Sequence, residues 1–575
     1  MKFDKETAIA IAICVVILFG WDPFCRYMGW IPDPAVPAAQ TAPAAAPATV
    51  STPSPTAPSP AVQEPAAPAV RPVEPVLAAK PLPPVELKNA DMTLRINPLD
   101  GSVSGITMNH YLNAGQTAPV TLDHTLGQHT GALSLFEPGS PWVVTGVLSS
   151  RLTADSYELE RRIRTASGTT FDLLQKWQIA SSGYETQISL EVKNRSGVPL
   201  SFSNQVFNGG DLAPWALISG DKVRVASHRM DYMTAAGKFF DIKAGWDDED
   251  FFQNPAPTVS WAGIGNKYFT VLLTAAEPYT LYQARTFRLR GQEKDEIITV
   301  GARLAPFVVG AGDSKQFAFR YYSGPKVIAQ LDAFDTTTGR VMHLAWGPLD
   351  YLARLLLWIL VKLHGLCGSY GVSIIILTLL VRLLFYPVTA KANASMKKMQ
   401  AVQPKIQELR EKYKDNPQLL NTKMMELYRT EKVNPFGGCL PILLQIPVFF
   451  ALYATLDGAV ELRQVPFLWS HDLAAADTVA RIPLFLFGWS LPINPLVIAM
   501  TVLMVIQQRM TPMSMDPVQK KMMMAMPIVM LIFLYDLPSG LTLYWTVSNI
   551  FSIIQLRLQQ RSGNVQCAAP VKDAR

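Results

Sequence analysis

Five long apolar runs in the second half of the chain constrain its fold more than any other feature. They occupy residues 372–388, 435–456, 483–506, 522–537 and 541–556, and the run over 483–506 has a polar interruption at residues 490–495. Each comes close to the roughly 20 residues that a helix needs to cross a bilayer. Charged residues make up only 17% of the chain, against about 25% in an average soluble domain. The sequence therefore predicts five transmembrane helices in this half.

A sixth span is predicted at the N-terminus. Residues 8–21 are apolar, and Trp21 and Trp30 are typical of membrane interfaces. No small-x-small cleavage signal follows closely, so residues 1–31 are expected to form an uncleaved anchor. Residues 32–84 contain 16 Pro and 15 Ala. Such a composition cannot bury a core, and it predicts a disordered linker.

Between residues 85 and 325, apolar and polar residues alternate with a period of two. The runs 171–177 and 184–192 show this pattern, and turn residues such as Ser182 and Gly183 separate the runs. Alternation of this kind predicts half-buried strands. The segment contains no cysteine. We therefore predict an all-β, sandwich-like domain that is stabilised by its hydrophobic core alone.

Residues 326–371 are expected to form a connector that ends in an amphipathic helix. Apolar residues recur there at helical spacing, with charged residues on the opposite side: Leu349, Leu352, Leu356, Ile359 and Leu363 against Asp350, Arg354 and Lys362. This pattern predicts a helix lying in the membrane interface. Residues 372–560 would then hold the five spans, and residues 561–575 a short cytoplasmic tail.

The distribution of basic residues predicts the orientation of the spans. Residues 391–432 carry ten Lys or Arg and five Asp or Glu, whereas residues 461–481 carry two basic and three acidic residues. Basic loops stay in the cytoplasm. With six spans, both termini are expected in the cytoplasm and the β domain on the other side of the membrane.

Arg382 lies inside the first of the five apolar runs. A charge at that depth costs at least about 2.5 kcal/mol, and such charges usually face a wet cavity or a partner. Thr378 shares its helix face, and Gln445, Ser548 and Asn549 are polar residues at similar depth. Together they predict a hydrated groove that attracts an anion. A structural arginine, and ordinary hydrogen bonds between helices, remain open alternatives.

Residues 391–432 are predicted to form a cytoplasmic hairpin of two amphipathic helices, with a break at residues 415–417. Its methionines Met396, Met399, Met424 and Met425 are candidates for contacts with apolar substrates, because flexible thioethers suit many different partners. The basic faces of the hairpin could contact lipid phosphates or ribosomal RNA. Packing of the methionines and solvation of the basic faces are the alternatives.

The sequence gives no indication of catalysis. No HExxH, GxSxG or Walker sequence occurs, so we expect neither enzymatic activity nor a cofactor or metal site. A net charge of +6 is too small and dispersed to predict DNA as a partner.

Two functional classes stay open as alternatives: a solute or anion transporter that uses Arg382, and a carbohydrate-binding β domain on a membrane anchor. The transporter predicts inverted repeats, and no convincing internal repeat is present.

Several motifs resemble the YidC/Oxa/Alb family of membrane protein insertases. In the helical half they are residues 432–453 (KVNPFGGCLPILLQIPVFFALY), 381–382 (VR), 386–387 (YP) and 538–549 (PSGLTLYWTVSN). In the β domain they are Trp261, residues 267–269 (KYF) and residues 322–326 (YSGPK). This second set is similar to the periplasmic domain of the Gram-negative branch of the family. The resemblance is strongest over residues 345–560.

The resemblance implies a five-helix insertase core around a hydrophilic groove that opens to the cytoplasm and to lipid. Arg382 corresponds to the groove arginine of the family, and Thr378, Tyr544 and Trp545 fall among its groove and substrate-contacting residues. The hairpin would receive substrate, and the β domain would be periplasmic.

The implied function is to insert newly made inner-membrane proteins and to help them fold as a chaperone, alone or with the Sec translocon. Membrane lipids are a further expected partner. The ribosome is expected to bind only weakly, through the cytoplasmic loops, because the tail is short and mildly basic.

Overall fold

The computed structural model describes residues 83–113, 116–125, 131–140, 142–212, 229–243, 256–290, 293–414, 416–431, 433, 440–484, 489–510 and 517–566. The predicted anchor over residues 1–31, nearly all of the predicted linker over 32–84, and residues 567–575 of the predicted tail lie outside this part of the chain.

The first half of the described chain consists of antiparallel strands. They are β1 (Val85–Lys88), β2 (Met92–Ile96), β3 (Val103–Leu112), β4 (Pro119–Asp123), β5 (Leu135–Phe136), β6 (Val143–Leu152), β7 (Ser156–Arg164), β8 (Thr170–Ile179), β9 (Glu185–Lys193), β10 (Leu200–Phe202), β11 (Val206–Leu212), β12 (Arg229–Thr234), β13 (Phe239–Lys243), β14 (Thr258–Gly265), β15 (Phe269–Arg290), β16 (Glu293–Arg303), β17 (Phe307–Val309) and β18 (Ser314–Pro325).

Most of these strands form a 12-stranded and a four-stranded sheet that share one core, and β10 and β17 form a separate two-stranded sheet. The main path of the large sheet runs β13-β12-β14-β15-β18-β9-β8-β7-β6, and β1 to β4 form the small sheet in chain order. Trp177 and Trp261 of the large sheet and Leu94 and Ile106 of the small sheet are buried in a single hydrophobic cluster. The alternating pattern produces this core because every second side chain of a strand points to the same face.

Helices make up most of the second half. They are α1 (Ile328–Phe334), α2 (Pro348–Cys367), α3 (Tyr370–Lys412), α4 (Pro417–Thr430), α5 (Leu440–Gly458), α6 (Pro495–Met510), α7 (Pro517–Phe533) and α8 (Ser539–Gln566). Helix α3 packs against α2, α5 and α8, and α8 also packs against α6. The prediction of a large β-rich domain followed by a helical region is confirmed.

Helix α3 is longer than the sequence suggested. Its 43 residues join the predicted first span of the core to the first half of the predicted hairpin without a break. The change from apolar to charged residues near Lys391 marks a change from an apolar to a polar environment around the helix. It does not end the helix. The end of α3 at Lys412 and the start of α4 at Pro417 agree with the predicted break.

The predicted span over residues 483–506 is wrong in its first part. Strand β19 (Ala480–Leu484) pairs antiparallel with β20 (Trp489–Ile493), and α6 begins only at Pro495. Pro483 and Pro492 disfavour a helix interior, because proline lacks the amide hydrogen and clashes with the preceding turn. Asn494 and Pro495, in contrast, suit the start of a helix.

By length and hydropathy alone, one helix of the described chain, Tyr370–Lys391, can cross a membrane. The apolar stretches Pro495–Met510 and Met524–Phe533 are shorter, and the count of six spans stays a prediction. Large apolar side chains are nevertheless exposed, including Leu384 on α3 (71%) and Ile532 on α7 (72%). Soluble proteins rarely expose extended apolar surface of this kind, so these faces fit a lipid environment.

Helix α2 differs from the predicted amphipathic pattern in its charged side. Arg354 donates to Asp350 at 2.6 Å and to the backbone carbonyl of Met342 at 2.7 Å, so this side packs on the connector. Tyr351 and Trp358 are instead exposed (79% and 59%). The exposed stripe of α2 is therefore aromatic and apolar, as expected for a helix in a membrane interface.

The β domain contacts the end of α5 and the loop that follows it. Lys267 Nζ donates to Asp457 Oδ1 at 2.8 Å, and the Tyr268 hydroxyl donates to the backbone carbonyl of Asp457 at 3.4 Å. Burial alone would lower the pKa of Lys267, but the charges and hydrogen bonds of Asp457 and Tyr268 together outweigh burial and raise it. The side-chain amide of Gln464 donates to Leu112 O at 2.9 Å and accepts from Leu112 N at 3.2 Å.

Helices α3 and α8 begin beside residues 459–478, which we name the α5–α6 loop. The ring of Phe467 lies against Gly371 at the start of α3. The hydroxyls of Ser470 and Ser539, at the start of α8, lie 2.8 Å apart. Helix α5 ends at this loop and α6 follows it along the chain. Helix α5 therefore runs toward this end of the bundle, and α6 runs away from it.

Glu461 in this loop gives a pH-dependent prediction. Burial raises the pKa of its carboxyl from 4.5 to about 6. The folded state therefore holds the proton more tightly than the unfolded state, and this stabilisation is present below about pH 4.5 and lost as the pH rises through 6. Replacing Glu461 by the neutral, isosteric Gln should raise the stability at pH 7.5 by up to about 2 kcal/mol, and should change it little at pH 4.5.

Thermal unfolding of the purified chain in detergent at the two pH values measures this difference. Glu411→Gln, at an exposed position of α3, is the matched control. An equal effect of Glu461→Gln at both pH values would contradict the assignment.

Candidate functional site

Arg382 lies on α3 and binds a hydroxyl of α8. Its Nε donates to Ser548 Oγ at 2.9 Å, and Nη2 donates to the same oxygen. Arg382 is the thirteenth residue of α3, about 18 Å from the start of that helix at 1.5 Å per residue. The two residues are 166 positions apart in the sequence, so only the packing of α3 against α8 brings them together.

A small pocket with a volume of about 20 Å³ lies beside the guanidinium. It lies between α3, α5 and α8, and its lining combines the arginine with hydroxyl, amide and apolar side chains: Val381, Arg382, Phe385, Thr389, Gln445, Val448 and Tyr544. The predicted groove residues Gln445, Tyr544 and Ser548 thus come together with Arg382. The Tyr544 hydroxyl interacts with both Ser548 and Gln445, which links α5 to α8 across the pocket.

No carboxylate pairs with Arg382 in the part of the chain that the structure describes. The titratable group that acts on the guanidinium there is the hydroxyl of Tyr544, which carries no charge at neutral pH. A guanidinium has five N–H donors, and the hydrogen bonds to Ser548 use two of its nitrogens. The pocket therefore has an uncompensated positive charge and further donors for an anion or a polar chain.

The side chain of Trp545 flanks the pocket on α8. Its ring lies 4.9 Å from that of Phe449 on α5, at an interplanar angle of 57°. Both residues are partly buried against the helical core. This aromatic pair helps to hold α5 against α8 beside Gln445 and Tyr544.

Two of the predicted groove residues lie away from the pocket lining. Thr378 is fully buried, and its hydroxyl donates to Ile374 O of its own helix at 2.7 Å. Asn549 is buried toward α6 and donates to Met500 O at 3.4 Å. The i to i+4 spacing puts Thr378 one turn before Arg382 on α3. The arginine side chain, however, extends toward α8, whereas the Thr378 hydroxyl bonds to its own helix.

Sequence reasoning missed Phe385 and Thr389 as pocket residues. They follow Arg382 on α3 by three and seven positions, the spacing of one helix face, so helical periodicity could have found them. The Thr389 hydroxyl accepts from Gln555 Nε2 on α8 at 3.4 Å. This bond continues the polar contact between α3 and α8 beyond the arginine.

The hairpin methionines contribute to a small cluster between α3 and α4. Met399 and Met424 pack against the buried residues Val402, Ile406 and Val433. Met425 is partly buried, and the side chain of Met396 lies outside the described residues. Lys405 and Glu431 add an ion pair of 2.6 Å at the surface. Met399 and Met424 thus hold the two hairpin helices together, and their role as substrate contacts stays a prediction.

Two family models match the two halves of the chain. The model of the YidC periplasmic domain matches residues 84–359, and the model of the 60Kd inner membrane protein matches residues 362–565. A chain that carries both parts has the domain arrangement of an inner-membrane protein with a periplasmic domain.

Similar proteins extend this match. The membrane protein insertase YidC of Geobacter sulfurreducens is 38% identical over 67% of this chain and 68% of its own length. That of Oleidesulfovibrio alaskensis is 31% identical over 96% of this chain and 98% of its own length. The chain belongs to the YidC family of membrane protein insertases. A crystal structure of an active YidC insertase covers 84% of this chain and 93% of its own, at 17% identity and a TM-score of 0.37.

The geometry predicts different results for two buried hydroxyls. Ser548→Ala removes the hydrogen-bond acceptor of the Arg382 guanidinium, and bonds to charged groups contribute about 1.5 to 3 kcal/mol. We expect at least a tenfold loss in the insertion of a single-span protein with an acidic tail. Thr378→Val removes only a bond within α3 and should keep more than half of the activity. Insertion into proteoliposomes, scored by protease protection, measures both, and equal losses would contradict the placement of Thr378.

Proposed function

We propose that this protein inserts membrane proteins through the pocket between α3, α5 and α8. The observation that carries the proposal is the partly buried guanidinium of Arg382, which has no carboxylate partner among the described residues. A polar or acidic segment next to the apolar helix of a substrate occupies this pocket. The apolar helix itself then moves past α5 and α7 into lipid.

The energetics of this route require no nucleotide. Each Leu or Ile at the centre of a substrate helix contributes about 0.3 to 0.6 kcal/mol on the insertion scale. An acidic residue that moves outward across a membrane with an inside-negative potential moves down its electrical gradient and gains about 2.3 kcal/mol per 100 mV. The pocket lowers the barrier for the polar segment because it supplies hydrogen bonds and positive charge partway across the apolar layer. We therefore propose a non-enzymatic mechanism without a cofactor.

The proposed orientation places the β domain in the periplasm and the hairpin of α3 and α4 in the cytoplasm. Two observations support it. The β domain contacts the bundle at the α5–α6 loop, where α3 and α8 begin. The opposite end of α3 carries the basic residues, as expected for a cytoplasmic segment. With six spans, both termini would then lie in the cytoplasm of a multi-pass inner-membrane protein.

The proposed partners follow from the same arrangement. Newly made inner-membrane proteins enter from the cytoplasmic side, alone or from the Sec translocon, and the protein also helps them to fold as a chaperone. The basic hairpin supports a weak contact with the ribosome. Membrane lipids contact the exposed apolar faces of α3 and α7 and the aromatic stripe of α2.

Substitution of Arg382 tests the electrostatic part of the proposal. Arg382→Ala should slow the insertion of a single-span substrate with an acidic tail by about 10- to 100-fold, the equivalent of one charged hydrogen bond. Arg382→Lys should retain part of the activity, because it keeps the charge but not the planar fork of donors. A substrate with an uncharged tail should be affected less.

Arg557→Ala, at an exposed position of α8, is the matched control for the loss of an arginine. If Arg382→Ala and Arg382→Lys both insert the acidic-tailed substrate at the normal rate, the electrostatic role of Arg382 is wrong.

Site-specific photocrosslinking tests the route. Probes at positions 389, 445 and 545 should form adducts with a ribosome-stalled nascent membrane protein, since Thr389 and Gln445 line the pocket and Trp545 flanks it. A probe at position 378 is the control, because Thr378 is buried in helix packing. The absence of adducts at positions 389, 445 and 545 would exclude this route, whatever the result of the Arg382 substitutions.

A further inference from the structure

The α5–α6 loop contacts the first turns of three helices. At α3, Gly371 leaves no room for a Cβ because the ring of Phe467 occupies that space. At α6, the Asp477 carboxylate accepts a hydrogen bond from Leu496 N at 2.6 Å. It also accepts from the indole nitrogen of Trp469 at 2.9 Å. One carboxylate thus joins the loop to a helix start, whose amide donors have no partner within the helix.

The contact with α8 is the most extensive. Ser539 Oγ lies 2.8 Å from Ser470 Oγ and donates to the backbone carbonyl of Asp472 at 2.8 Å. The backbone amides of Ser539 and Gly540 donate to the carbonyls of Ala475 and Leu473 at 2.7 and 2.9 Å. Ser539 is completely buried. The first turn of α8 is therefore bonded to the loop by side chain and backbone together.

The loop is itself held in one conformation. The Asp472 carboxylate accepts from the backbone amides of Gln464 and Ala474, both at 2.8 Å. Gln464 and Leu468 have φ angles of 59° and 55°, which non-glycine residues adopt only where the surrounding structure requires it. These constraints keep the loop in one conformation. Its position therefore determines the positions of the helix starts that it contacts.

We propose that the α5–α6 loop sets the position of α8 relative to α3, and that Ser539 is a positioning residue for the Arg382 site. This inference rests on the proposed function. Ser548 follows Ser539 by nine residues, about 13 Å along a rigid helix. A shift of the first turn of α8 therefore moves Ser548 and Tyr544 relative to the guanidinium on α3, whose own start is fixed by Phe467.

Ser539→Ala removes the hydrogen bonds to Ser470 and Asp472 and leaves the backbone contacts in place. It should slow the insertion of an acidic-tailed single-span substrate about fivefold, the equivalent of one net hydrogen bond, with a smaller effect on an uncharged-tail substrate. Ser539→Thr, which keeps the hydroxyl, should restore the rate. Thr542→Ala is the matched control, because its buried hydroxyl bonds only to Ser539 O within α8.

The decisive measurement is a double-mutant cycle. If Ser539 acts through the Arg382 site, Ser539→Ala should have little further effect once Ser548→Ala has removed the acceptor of the guanidinium. An undiminished effect in that background, or equal losses for Ser539→Ala and Thr542→Ala, would overturn the positioning role. Thermal unfolding in detergent accompanies each variant. Ser470→Ala, which removes the hydroxyl that contacts Ser539 and Asp472, replaces Ser539→Ala if that variant does not fold.

The two proposals fail in different ways. If Arg382→Ala and Ser548→Ala both leave insertion unchanged, the proposed function of the pocket is wrong and the positioning role falls with it. If those two variants impair insertion and Ser539→Ala does not, only the positioning role of the loop is wrong.

Discussion

The guanidinium of Arg382 in an apolar helix is the constraint on which the rest of the helical half depends. A charge in this position is costly unless hydrogen-bond acceptors surround it. The chain meets this requirement with a hydroxyl from α8 and with a pocket, and not with a carboxylate in the described ranges. A carboxylate would neutralise the site permanently. A hydroxyl accepts hydrogen bonds from the guanidinium but leaves its positive charge in place, as the proposed function requires.

This arrangement requires that α3 and α8 keep a fixed distance, because Arg382 and Ser548 come from opposite ends of the helical half. The apolar contacts of the bundle do not by themselves fix how far one helix slides along another. Polar contacts at the helix ends do so, since hydrogen bonds have strict distance and angle requirements. The dense bonding of the α5–α6 loop at the starts of α3, α6 and α8 explains how a charged pocket can persist within a helix bundle.

Much of this structure could be predicted from the sequence, for reasons that particular residues show. Arg382 stands out because its neighbours are apolar, and the strands follow from strict alternation in runs such as 184–192. The partner of Arg382 could not be predicted in the same way, because Ser548 is one of many hydroxyls and only helix packing selects it. Thr378 shows the reverse case: its spacing is right for the site, yet its hydroxyl bonds to its own helix.

The error at residues 483–494 has a related cause. Hydropathy averages over a window, so the apolar neighbours of Pro483 and Pro492 hide the helix-disfavouring effect of these two prolines. The resulting β19–β20 hairpin shortens α6 to 16 residues.

The two ends of the helical bundle differ in their physical character, and this difference indicates where motion can occur. At the α5–α6 loop, short hydrogen bonds and buried side chains join three helices and the β domain. At the other end, α3 and α4 share a small cluster around Val402, Ile406 and Val433 with one surface ion pair. Exposed ion pairs contribute at most about 1 kcal/mol, so the small apolar cluster is the main contact that must break for the hairpin helices to separate. On the proposed route, a substrate that enters from the hairpin side meets a pocket that is held firmly near the α5–α6 loop and less firmly near the hairpin.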